Sequence, residues 1–150
     1  MDAHTFLRRF VDPTIAEFEA HPSSSRHAFL AAVTTFHCVD YFATPPSKEN
    51  RIKQYRDESP EFAIVDRVCH AFKHTETGHP NAVVNQPLKV SDVTERPPAF
   101  YGVLVLGKSF FNDKVGGVEV EGSHFDFLYI VKRAADFLRN KIKIQTEGAQ

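Results

Sequence analysis

One short segment of the chain, IVDRVCHAFKHTETGH from Ile64 to His79, concentrates side chains that can do chemistry. Five polar and charged side chains fall within nine positions of this segment: Asp66, Arg67, His70, Lys73 and His74. On a helix of about 100° per residue, these five share one arc of about 120°, opposite an apolar half. Histidine exchanges protons near neutral pH, and arginine binds phosphate through a planar fork of donors. The arc can therefore be an acid–base site, a set of metal ligands or a solvated helix face.

A second set of polar residues lies in the segment RHAFLAAVTTFHCVDYF, which predicts a helix from Arg26 to about Phe42. Because the segment is apolar nearly all round, we expect it to be the buried central helix of the domain. Its polar residues Arg26, His37 and Asp40 fall within about 60° of one another on the helical wheel. His37 and Asp40 are spaced i,i+3, so their side chains can interact. We expect the site to lie where this helix faces the Pro60–Thr75 helix.

Capping residues and prolines mark the other helices of the first half. Asp12-Pro13 suits the start of a helix, so Ala3–Ala20 is either two helices or one kinked helix. One serine of Ser23–Ser25 caps the central helix, and Arg51–Arg56 predicts a short polar helix on the surface. Ser59-Pro60 places a capping hydroxyl and a first-turn proline at the start of the helix that carries the arc.

The second half predicts a long irregular connection over Thr75–Pro98, followed by a small sheet and a final helix. Ala99–Gly107 and Val115–Gly122 have strand character, and we expect them to pair as a hairpin. Ser123 and Asp126 fit a variant capping box for a last helix over about His124–Lys141. The sequence thus predicts a mainly α protein, a four- to five-helix bundle with a small β-hairpin before the last helix. No repeat or linker divides it, so residues 1–150 are expected to form a single domain.

Composition and charge narrow the class of protein. The chain has 150 residues, 42% of them hydrophobic and 25% charged, as in ordinary globular domains. Its formal net charge of −1 gives no signature of DNA or anionic membrane binding. No apolar stretch approaches the roughly 20 residues that cross a bilayer, and the start MDAHTFLRRF lacks a signal peptide. Cys38 and Cys69 lie in apolar segments and predict buried thiols, so we expect a cytoplasmic protein.

Two interpretations of the polar arc need no resemblance to a known family. In the first, the arc is only a solvated face of a non-catalytic interaction module. In the second, a divalent metal binds between facing helices, as in other helical bundles. The metal ligands would then be a histidine and carboxylate cluster: His37, Asp40, Asp66, His70 and His74. The chain contains no HExxH and no ExxH motif, so the spacing permits a metal site without specifying one.

A third interpretation comes from a resemblance. Arg67 and His74 form an Arg-x6-His spacing on one helix, which resembles the motif of the HEPN superfamily of small helical domains. The resemblance implies a helical bundle, frequent homodimers, and RNA binding or cleavage without a cofactor. It implies catalytic roles for Arg67 and His74, and His70 between them is a further candidate. Val68 follows the arginine, where active members usually carry Asn, Asp or His.

A wider resemblance covers nearly the whole chain. The segments PTIAEF, RHAFLAAVTTFHCVDYF, FAIVDRVCHAFKH and RPPAFYGV look like a family of uncharacterised short proteins from proteobacteria. That resemblance implies no known activity. The leading hypothesis from the sequence is therefore a HEPN-like helical domain that binds or cleaves RNA as a homodimer. The alternatives are a metal-binding helical-bundle enzyme and a non-catalytic interaction module.

Overall fold

The computed structural model describes residues 1–43, 45–74, 88–99, 107 and 113–147 of the chain. Helices dominate these residues, and two short strands precede the last helix. The elements follow one another in this order: α1 (Ala3–Phe6), α2 (Asp12–Ala20), α3 (Ser25–His37), α4 (Lys48–Glu58), α5 (Pro60–His74), β1 (Val93–Arg96), β2 (Gly117–Val120) and α6 (Phe127–Glu147). The predicted mainly α architecture, a helical bundle with a small antiparallel hairpin before the last helix, is confirmed.

The N-terminal segment is one continuous helix with a π-helical turn in its middle. α1 passes through Leu7–Val11, which is π-helical, directly into α2, and Asp12 has right-handed helical dihedral angles. Pro13 lacks a main-chain donor, and its ring crowds the carbonyl four residues earlier. A wider turn just before the proline accommodates both effects. Of the two alternatives from the sequence, the single interrupted helix is therefore correct, and Asp12 does not cap a new helix.

The apolar core lies between α2, α3, α5 and α6, with α3 in contact with the other three helices. Three alanines of α3, Ala28, Ala31 and Ala32, are fully buried, so the backbones of neighbouring helices can approach closely. The predicted central position of this helix is confirmed. Its α-helical part ends at His37, and the next turn, Cys38–Tyr41, is a 3-10 helix.

The two strands pair in antiparallel register, with Val93 opposite Val120. β2 lies inside the predicted Val115–Gly122 strand. Its observed partner is β1, which the sequence analysis had placed in an irregular connection, so that assignment is corrected. The predicted partner strand Ala99–Gly107 lies mostly outside the described residues.

Ion pairs of Arg96 help to position β1, a strand that hydrophobic periodicity did not predict. Arg96, at the end of β1, is largely buried and binds carboxylates on both sides of β2. Its Nε lies 2.8 Å from Glu119 of β2, and one Nη lies 3.0 Å from Asp126 before α6. The other Nη pairs with Asp113. Arg96 therefore ties the hairpin to the start of the last helix.

The last helix begins later and ends later than predicted. It spans Phe127–Glu147 instead of His124–Lys141. The main-chain N–H of Leu128 donates to the Asp126 carboxylate at 3.0 Å, whereas Ser123 accepts from Phe125 at 3.2 Å. Asp126 therefore caps the helix, and the Ser123 turn only precedes it.

Helix α4 is longer and less exposed than the predicted Arg51–Arg56 surface helix. It begins after Ser47, whose hydroxyl accepts from the Asn50 main-chain N–H, and runs to Glu58. Arg51 and Tyr55 are buried on its inner face. The Tyr55 ring packs edge-on against Phe62 at 5.8 Å, so α4 covers the start of α5.

We expect Phe62→Ala to lower the free energy of unfolding by about 3–5 kcal/mol, because it removes a fully buried ring from between α3, α4 and α6. Urea denaturation followed by far-UV circular dichroism measures the change. Phe125→Ala, at an exposed ring, is the control and should change stability by no more than about 0.5 kcal/mol. Equal effects of the two substitutions would contradict the described core.

Candidate active site

The corner between α4 and α5 brings the charged residues of the two helices together. A single residue, Ser59, separates the helices. Its hydroxyl accepts from the main-chain N–H of Phe62 at 3.1 Å and so caps α5, as predicted. Because the connection is so short, the last turn of α4 must lie beside the first half of α5. Arg56 of α4 thereby reaches Asp66 of α5.

Asp66 is buried, although the sequence placed it on a polar helix face. Its side chain is 3% exposed. A buried carboxylate is costly unless cations or hydrogen-bond donors replace its hydration. Arg56 forms an ion pair with Oδ2 through Nε, and His70 Nδ1 lies 2.8 Å from Oδ1. Asp66 is therefore the shared partner of one residue from each helix.

The geometry of His70 defines which of its nitrogens carries a proton. Nδ1 lies 2.9 Å from the main-chain oxygen of Asp66 and 2.8 Å from its Oδ1. Both neighbours are acceptors, so Nδ1 carries the proton. The Nδ1–H group of His70 donates to the main-chain oxygen of Asp66. Asp66 Oδ1 accepts no well-aligned hydrogen bond, so it attracts the imidazolium through its negative charge. These contacts hold the imidazole through Nδ1, and 40% of the side chain is exposed.

The same contacts shift the protonation of His70. The side-chain interaction with Asp66 raises the pKa of His70 above its ordinary value of 6.5, and the main-chain contact adds to this. Partial burial and the nearby Arg56 cation act in the opposite direction but do not cancel the effect. A partly exposed imidazole that titrates above 6.5 can accept and donate protons near neutral pH.

The second predicted pair, His37 and Asp40, forms at the end of α3. His37 Nδ1 lies 2.9 Å from Asp40 Oδ2, and Lys48 Nζ lies 2.6 Å from Oδ1. Partial burial alone would raise the pKa of Asp40, but its hydrogen bonds to Lys48 and His37 lower it overall. This pair is partly exposed rather than buried, because the 3-10 turn carries Asp40 away from the helix interior.

The two pairs approach each other at the ring of Phe36. The imidazoles of His37 and His70 both contact this ring edge-on, with centroids 5.3 and 5.1 Å away. Among the residues that the structure describes, no three histidine, cysteine or carboxylate side chains gather as a metal ligand set. The side chain of His74 lies outside the described residues. The five-residue metal cluster therefore stays a prediction.

Arg67 and Lys73 of the arc lie on the same helix as the Asp66–His70 pair. Arg67 follows Asp66 directly and is partly exposed, and Lys73 is exposed one turn beyond His70. The negative charge of Asp66 is compensated inside the protein by its ion pairs with Arg56 and His70.

Arg56 belongs to the site, although it was not predicted from the sequence. A helical wheel of α5 contains no information about a cation supplied by α4. The available signal was the one-residue Ser59 corner, which forces the two helices into contact and sets Arg56 beside the acidic position of α5.

The two cysteines take no part in the site. Both thiols are buried, as predicted, and burial raises the pKa of Cys38 to about 12 and that of Cys69 to about 11. Thiols with such pKa values stay protonated at neutral pH and are poor nucleophiles.

Comparison of the chain with protein-family models, with curated proteins and with solved structures finds no match. A search of the described helices for membrane spans finds none with the length and apolarity required.

We expect Asp66→Asn to lower the pKa of His70 toward 6.5, because the substitution removes the charge that favours the imidazolium. A pH titration of the His70 ring signals by NMR measures the change. Asp57→Asn, at an exposed carboxylate beside Arg56, is the matched control and should leave the pKa of His70 in place.

The same shift gives the protein a pH-dependent stability. Protonated His70 is favoured in the folded state, so its contribution is fully present below the unfolded pKa near 6.5 and is lost as the pH rises through the higher folded pKa. His70→Gln should flatten this part of the stability profile. An unchanged profile would contradict the assigned ion pair.

Proposed function

We propose that this protein is a cytoplasmic, HEPN-like helical domain that binds RNA and cleaves its backbone at the Asp66–His70 site. The single observation that carries the proposal is the buried carboxylate of Asp66 holding a partly exposed imidazole. The main-chain oxygen of Asp66 orients the imidazole, and the carboxylate favours its protonated form, an arrangement similar to the one that many hydrolytic sites use for proton transfer.

Cleavage of RNA by its own 2′-hydroxyl needs few groups from the protein. The 2′-oxygen attacks phosphorus, the O2′–P bond forms, and the P–O5′ bond breaks to leave a 2′,3′-cyclic phosphate. His70 takes the proton of the 2′-hydroxyl, and the departing 5′-oxygen takes a proton from solvent. Arg67, on the same helix, supplies a cation for the charge that develops on the phosphate oxygens.

The resemblance to HEPN domains supports the proposal. Its motif residues Arg67 and His74 lie on α5, one on each side of His70 in the sequence. The phosphate-repelling charge of Asp66 is compensated by ion pairing. The homodimer that the resemblance also implies stays a prediction.

We expect wild-type protein to cleave single-stranded RNA and His70→Gln to be slower by roughly a hundredfold, because the proton-transfer group is lost. The assay uses end-labelled RNA with excess EDTA in one arm and added divalent metal in the other. Lys53→Gln, at an exposed cation of α4, is the control and should cleave like wild type.

A further substrate and the metal dependence of cleavage sharpen this test. RNA with every 2′-hydroxyl replaced by hydrogen should bind but resist cleavage, because its nucleophile is absent. Cleavage that needs added metal would favour the metal-binding alternative. Wild-type protein that neither binds nor cuts RNA, or full activity in His70→Gln, would overturn the proposal.

A further inference from the structure

The geometry points to a phosphate-binding site made by Arg56 of α4 and His70 of α5, held side by side by the buried carboxylate of Asp66. This inference deepens the proposed function and rests on it for the identity of the larger ligand. It also stands separately as a claim about anion binding. The chemistry that it recognises is a tetrahedral phosphate group with at least one negative oxygen.

Arg56 has donors left after it binds Asp66. Only its Nε is engaged with the carboxylate, and no other hydrogen bond or ion pair of Arg56 occurs in the described part of the chain. A guanidinium offers five N–H donors in a rigid plane, four of them on the two Nη atoms. With 42% of the side chain exposed, these donors are accessible from solvent.

The ion pair with Asp66 fixes the orientation of the Arg56 guanidinium before a ligand binds. A free surface arginine loses side-chain entropy when it binds an anion, which weakens the interaction. Here the buried carboxylate fixes the plane of the guanidinium in advance, so less entropy remains to be lost. Two parallel N–H groups in a fixed plane match two oxygens of one phosphate.

His70 is the second cationic group of the proposed phosphate site. Arg56 and His70 bind different oxygens of the same carboxylate, so the two cationic groups lie close together. When His70 is protonated, the trio of Arg56, Asp66 and His70 carries a net charge of +1. Arg67 and Lys73 are further cationic residues on the same helix, α5.

The acidic groups on the neighbouring helices do not neutralise the positive charge of the trio. Two acids follow Arg56 on α4: Asp57 is exposed to solvent and therefore screened, and Glu58 is bound by Lys141 of α6. α3 presents Phe36 to His70, and the acid of that helix end, Asp40, is bound by His37 and Lys48. A phosphate at this position should in turn favour the protonated form of His70, so its binding should raise the pKa of that residue.

The test is a titration of the 150-residue chain with inorganic phosphate, in which the NMR signals of His70 and of the arginine side chains are followed. We expect wild type to bind phosphate with saturable shifts at His70 and Arg56. Binding should weaken as the pH rises through the pKa of His70. Arg56→Gln should weaken binding roughly tenfold or more, because a charge-assisted pair of hydrogen bonds is lost.

Arg56→Lys guards against simple loss of folding. It keeps a cation beside Asp66 but lacks the planar fork, so we expect a folded protein with weakened phosphate binding. Lys53→Gln, an exposed cation on the same helix, should bind phosphate like wild type. Absence of saturable binding in wild type, or unchanged binding in both Arg56 variants, would overturn the inference.

The outcomes separate this inference from the proposed function. Phosphate binding that depends on Arg56, in a protein that neither binds nor cuts RNA, would keep the anion site and remove the RNA proposal. RNA cleavage by a protein that shows no saturable phosphate binding, or whose phosphate binding is unchanged in both Arg56 variants, would keep the RNA proposal and remove this anion site.

Discussion

The buried carboxylate of Asp66 is the constraint on which the site depends. With 3% of its side chain exposed, Asp66 keeps almost no hydration and must be compensated by protein groups. Arg56 compensates one oxygen and His70 the other. Loss of either partner would leave a buried charge underpaired, which is far more costly than loss of an exposed ion pair. The positions of α4 and α5 and the orientation of the imidazole are thus coupled through one side chain.

The bundle places this carboxylate by ordinary packing. The Ser59 corner folds α4 back onto α5, and Tyr55 packs against Phe62 to hold the two helices together. On the other side, Phe36 of α3 contacts the His70 ring and limits its rotation. The hairpin and the start of α6 are joined separately through the ion pairs of Arg96. The acid–base pair therefore lies on rigid helices, which suits a group that must hold a fixed position.

Hydrophobic periodicity was sufficient to predict the helices, the central position of α3 and the polar arc of α5. Periodicity could not predict that Asp66 is buried. A helical wheel describes only one helix, whereas Asp66 is covered by residues of α4. For the same reason Arg56 was read as part of a solvated surface. The pairing of His37 with Asp40 was predicted from spacing alone and is confirmed. Strand β1 was missed because its position depends on the ion pairs of Arg96, which leave no periodic pattern.

The most direct test of the account is the tautomer of His70 in its neutral form, read from the ¹⁵N shifts of the ring in the wild-type protein. The account predicts that Nδ1 carries the proton, because that atom faces the main-chain oxygen and the carboxylate of Asp66. In Asp66→Asn, a pH titration of the same ring shifts should give a lower pKa for His70. The neutral ring should still be protonated at Nδ1, because the main-chain oxygen of residue 66 still accepts from that atom. A neutral ring protonated at Nε2 in the wild type, with Nδ1 bare, would contradict the ion pair from which the site is built.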